Sequence, residues 1–95
     1  MLKAQAQVET PKAARYLKAL CNHFSRKVDA NYDEQRGTVQ FGFGVCEMYV
    51  SDTTLTLHIH AEGDENLARV KAVVADHLQR FSGDEALQVK WVDQV

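Results

Sequence analysis

Hydrophobic and polar residues follow one another with a period of two in some stretches of this chain and a period near 3.6 in others. The two periods divide the chain into strands and helices. Ala4, Ala6 and Val8 alternate with Gln5, Gln7 and Glu9, which predicts a half-buried strand over 4–9. Thr10-Pro11 supplies a capping hydroxyl and a first-turn proline, so a helix is expected from there to about Arg26, with Ala13, Leu17, Leu20, Cys21 and Phe24 inward. Period two returns at Val28, Ala30 and Tyr32. The polar turn Asp33 to Gly37 and a second run, Thr38 to Phe41, then predict a hairpin. Phe41-Gly42-Phe43-Gly44 predicts a bend or bulge.

Two strands follow. In Val45 to Val50, Cys46, Met48 and Val50 share the apolar face; in Thr54 to Ala61, Leu55, Leu57, Ile59 and Ala61 point inward while Thr54, Thr56, His58 and His60 point out. From Asn66 to Phe81 the helical period places Leu67, Val70, Val73, Val74, Leu78 and Phe81 on one stripe, and His77 falls within it. Asp64 is the expected cap and Gly83 the expected terminator. Leu87 to Val92 forms the last predicted strand, with Leu87, Val89 and Trp91 inward and Gln88 and Lys90 outward. The order β-α-β-β-β-β-α-β, with every strand half polar, predicts an α+β fold: two helices on one face of a mostly antiparallel sheet, a ferredoxin-like sandwich.

Ninety-five residues at 45% hydrophobic content suit a single domain over 1–95. The formal charge of −2 argues against an overall field that collects nucleic acid. The start carries no signal-peptide pattern and no apolar run reaches the length of a membrane span, so a cytoplasmic location is expected. One surface departs from the average. The first helix carries Lys12, Arg15, Lys18 and Arg26, with Lys27 on its flank and no acid between Pro11 and Lys27.

Candidate chemistry begins with His77, because a buried imidazole must be hydrogen-bonded, neutral or ligated. Cys21 and Cys46 are expected to face the same space between helices and sheet. Cys21, Cys46 and His77 therefore form a candidate set for zinc or iron, with a hydrogen bond from His77 to a carbonyl, Tyr32 or water as the alternative. His23 cannot join Cys21 on one ion, since two helical positions differ by about 200°. It is a candidate surface ligand instead. His58 and His60 lie about 7 Å apart on one sheet face, where Glu47 is a conceivable third donor and a polar dimer-facing row with Thr56 and Gln88 is the alternative. No nucleophile elbow, triad or paired inward carboxylate is present, so an enzyme is not expected.

Thr10-Pro11 with Arg15-Tyr16-Leu17, Leu20-Cys21 with His23, Phe41-Gly42 with Gly44 and Cys46, Asp76-His77-Leu78 with Arg80-Phe81, and Val89 with Trp91 together resemble a bacterial domain-of-unknown-function family, number twenty-two eighteen. The resemblance covers almost the whole chain. It implies a compact bacterial domain without assigned activity, and members associated with siderophore-interacting flavin reductases imply an iron-related binding or accessory role with such a reductase as partner. The alternative is a structural module that pairs with a second copy, as a homodimer, through its polar sheet face.

Overall fold

A computed structural model describes residues 1–85 and 87–94 of the chain. Its elements are β1 (Leu2–Glu9), α1 (Ala13–Phe24), β2 (Asp29–Tyr32), β3 (Arg36–Gln40), β4 (Val45–Ser51), β5 (Thr54–Ala61), α2 (Asp64–Ser82) and β6 (Val92–Gln94). The strands form one sheet in the order β2-β3-β4-β5-β1-β6, and every neighbouring pair is antiparallel. β1 lies between β5 and β6, so β5-α2-β6 skips one strand and β1-α1-β2 skips three. This is the ferredoxin-like plan with the β3-β4 hairpin added to its sheet.

Both helices cover the same face. Leu17 and Leu20 of α1, Val70, Val74 and Leu78 of α2, and Val39, Met48, Leu55, Leu57 and Ile59 of the sheet are all buried in one core. Each large aliphatic side chain removed from water there contributes about 2 kcal/mol before the entropy of ordering it is subtracted. Two glycines let the layers approach closely. A Cβ on Gly37 would stand 2.8 Å from Cys21 Sγ, and one on Gly44 would run into Val70 Cγ2 and stand 2.9 Å from the His60 carbonyl oxygen. Gly37 therefore admits α1 to the sheet, and Gly44 lets the β3-β4 turn sit against α2.

Several boundaries differ from the sequence expectation. α1 ends at Phe24 rather than Arg26, and Ser25 closes it through its backbone N–H to the Cys21 carbonyl. Asp64 is the first residue of α2 and not its cap; Gly63 holds that position at φ 84° without a side-chain cap. Gly83 ends α2 where its pattern predicts, at a positive φ of 54° that favours glycine, but with ψ −112° in place of the left-handed helical cap. The last strand is shifted. Leu87, Val89 and Trp91 do lean on the core, but ladder pairing with β1 begins only at Val92 and ends at Gln94. Lys71 of α2 is paired with Asp93, which ties the short strand to the helix layer.

Candidate functional site: a basic, aromatic groove between the helices and the β3-β4 turn

The stripe on α2 that enters the core is narrower than the periodicity implies. Leu67, Val70, Val74 and Leu78 are buried, while Val73 and His77 are half-buried and Phe81 is 37% exposed. His77 thus sits on the edge of the sandwich, over the C-terminal end of α1. Its Nδ1–H donates to the Val73 carbonyl oxygen one turn back, at 2.8 Å. That bond fixes the tautomer, so in the neutral ring Nε2 carries the free lone pair.

The predicted metal set is not assembled. Among the described residues no three His, Cys, Asp or Glu side chains are grouped to hold a metal ion. Cys21 and Cys46 are both buried free thiols in the core. Burial pushes the Cys21 thiol up to about 11, and it raises Cys46 as well, with Cys21 as its neighbour. Both thiols stay protonated and packed. His77 turns instead to His23, whose ring centroid lies 4.7 Å from its own.

Around these two rings three elements meet. α1 and its continuation supply His23, Phe24, Arg26, Lys27 and Val28; the β3-β4 turn supplies Phe41 and Phe43; α2 supplies Arg69, Val73 and His77. Arg69, Val73 and His77 recur every fourth residue and therefore line one edge of the helix. Together these residues bound an open groove of about 370 Å³. Its floor is aromatic. Phe24 meets Phe41 edge-to-face at 4.9 Å and the His77 ring at 4.9 Å, and Phe41 stacks on Phe43 at 5.4 Å.

The rim is cationic. The Arg69 guanidinium lies 4.1 Å from the centre of the Phe43 ring, a cation–π contact, and among the described residues it makes no ion pair. Arg26 and Lys27 flank the other side, and among the described residues no carboxylate lines the groove. Partial loss of water around its ring holds His23 below the ordinary imidazole value, and His77, Arg26, Lys27 and Arg80 push it the same way. The acid of α2 nearest to His77 in sequence, Asp76, is engaged with Arg80 at 3.2 Å. Such a groove repels a bare dication and attracts an anion that carries an apolar body.

The second predicted pair lies on the opposite side of the molecule. His58 and His60 stand on the helix-free sheet face, where Glu47 is directly across from His58 in the β4-β5 register. Glu47 accepts a hydrogen bond from Tyr49 at 2.9 Å, and its carboxylate is 4.0 Å from His60 Nε2. The two histidines do not complete a metal set there. Periodicity alone puts Arg69 on the outer side of its helix and Phe41-Gly42-Phe43-Gly44 in a bend; only the close approach at Gly44 joins them. The sequence signals that point to the groove are that bend and the acid-free run ending in Arg26-Lys27.

Compared with known proteins, the chain is similar over 97% of its length to the NMR structure of PA4090 from Pseudomonas aeruginosa, of which 96% is covered, at 33% identity and a TM-score of 0.82. No curated protein matches it. The family model described as uncharacterized protein conserved in bacteria matches residues 5–92, and the chain belongs to that family, DUF2218.

Proposed function

We propose that the protein is a non-catalytic binding module whose groove takes a small anion with an apolar or aromatic body. The observation that carries this reading is the union of an aromatic floor with three permanent cations and no lining acid. Phe24, Phe41 and Val73 offer the body a dry surface; Arg26, Lys27 and Arg69 offer the charged end its partners. Iron enters this reading as an anionic chelate of the siderophore type, because the rim cations oppose a bare ion and the thiols lie in the core. The cytoplasm suits two free buried thiols.

The test is a fluorescence titration with two dyes of nearly equal shape, the anionic anilinonaphthalene sulfonate and the neutral N-phenylnaphthylamine. The sulfonate is expected to bind at least about tenfold more tightly, as partly exposed ion pairs of about 0.5 kcal/mol each allow when three act together. Arg69→Ala weakens the sulfonate by about twofold and leaves the neutral dye nearly unchanged. Equal binding of both dyes, or an Arg69→Ala variant indistinguishable from the parent, refutes the reading.

A second reading rests on the helix-free sheet face bearing Thr56, His58 and His60, which would pair with a second copy or with a flavin reductase. Light scattering of the pure protein tests the first of these, with a dimer that His58→Glu dissociates as the expected result. A monomer at every concentration removes it.

A further inference from the structure

We infer that the groove takes up its anion together with up to one proton, held by the adjacent, mutually tilted pair His23 and His77. This rests on the binding reading above and concerns how that same site is regulated. The two imidazoles come from different helices and lie with centroids 4.7 Å apart. Two imidazolium ions at that separation repel strongly, whereas one imidazolium beside one neutral ring does not. The pair therefore holds at most one proton readily.

The structure also fixes how the His77 ring is presented. His77 Nδ1–H already donates to the Val73 carbonyl, a bond that survives protonation and strengthens with it. The Phe24 ring lies 4.9 Å from the same imidazole, tilted by 58°, within the distance at which an aromatic ring interacts with a cation. What opposes the proton at His23 is first the partial loss of water around its ring and then positive charge. From α1 and its continuation the facing groups are Arg26 and Lys27; from α2 they are Arg69 and Arg80, the latter paired with Asp76; the β3-β4 turn contributes only Phe41 and Phe43. An anion in the groove offsets the part of that opposition that comes from charge. Solvent then delivers a proton to an imidazole nitrogen, and the imidazolium becomes a further donor to the anion.

By linkage, an anion that raises proton affinity must itself bind more tightly as pH falls through the histidine range. The sign is fixed: protons are scarcest at high pH, so affinity is lowest there and rises toward acid. Anilinonaphthalene sulfonate is the right probe because a sulfonate stays ionised throughout. Its affinity for the full chain is expected to rise about fivefold to tenfold between about pH 8 and about pH 5.5, with a slope no steeper than one proton. Calorimetry in two buffers of different ionisation enthalpy should show proton uptake below one per dye.

The double variant H23Q/H77Q should bind the dye with a flat pH profile, while H58Q/H60Q, on the opposite face, should keep the parental slope. A urea melt of each variant checks that it is folded. A flat profile in the parent, a slope that persists in H23Q/H77Q, or an uptake of two protons overturns the inference. Absence of dye binding at every pH is a different result, because it removes the binding reading itself and the inference with it.

Discussion

Replacing Gly44 by alanine tests how the groove is built. The added Cβ meets Val70 Cγ2, the His60 carbonyl oxygen at 2.9 Å and Ala61 Cβ at 3.1 Å. Val70 is fully buried and the carbonyl belongs to a central strand, so neither neighbour can turn away as a surface side chain would. Overpacking of this kind costs about 1–3 kcal/mol, and two rigid neighbours place Gly44→Ala near about 2 kcal/mol. Val70→Ala alone costs about 2 kcal/mol through lost burial and cavity formation. Together they should cost about 1 kcal/mol less than their sum, because shortening Val70 vacates one of the clashing positions. Gly42→Ala is the control: with φ +62° and nothing within 4 Å of its Cβ, it costs only about 1 kcal/mol of left-handed strain and gains nothing from Val70→Ala. Urea unfolding of the parent and the five variants, Gly42→Ala with Val70→Ala included, measures these values. Since the turn carries Phe41 and Phe43, Gly44→Ala should also weaken dye binding. A Gly44→Ala variant within about 0.5 kcal/mol of the parent, or strict additivity with Val70→Ala, refutes the close-approach argument.

The thiols provide another check. With Cys21 pushed up to about 11 and Cys46 also raised by burial, an aromatic disulfide reagent at about pH 8 should label neither until urea unfolds the chain. Because the folded values lie above the unfolded thiol value of 9.0, stability is fully present below that pH and falls as pH rises toward 11. Thr10→Val should lower the urea midpoint, since the buried hydroxyl donates to Glu85 at 2.9 Å and accepts from the Lys12 N–H at 3.1 Å. Burial tends to raise the Glu85 carboxyl, but hydrogen bonds from Thr10, Tyr16 and Lys12 prevail and hold it below its ordinary 4.5. Its contribution is present above that value and disappears as pH falls through the depressed one, so parent and variant should converge in acid. A gap that widens in acid would contradict this assignment.

The layers of the fold were legible in the sequence because periodicity reports facing directly. Ala4, Ala6 and Val8, or Leu55, Leu57 and Ile59, could face only one way if water was to be excluded. Facing is not pairing, however. Leu87, Val89 and Trp91 alternate as a strand should and do lean inward, yet a ladder needs a neighbour in register, and β1 meets the chain only at Lys3 to Gln5. Asp64 likewise has the right chemistry for a cap, but Gly63 with its positive φ makes the entry to α2 and draws Asp64 into the first turn. The helical wheel failed at His77 for a related reason: it gives an angle about the axis and says nothing of where the covering layer stops.

That failure locates the site. The stripe of α2 is wider than the sheet it covers, so Val73, His77 and Phe81 project past the core at the side where α1 ends. The C-terminal end of α1 lies beside them, and α1 belongs to a segment in which five of the chain's eleven lysines and arginines fall between Pro11 and Lys27 without an acid. The net charge of −2 averages this away. At physiological salt, however, charges separated by more than about 8 Å are largely screened, so a bound molecule responds to the rim it touches and not to the total. An acidic protein can therefore hold an anion in one groove without attracting polyanions over its whole surface. In the proposed binding role that arrangement would separate affinity at the groove from nonspecific adhesion elsewhere.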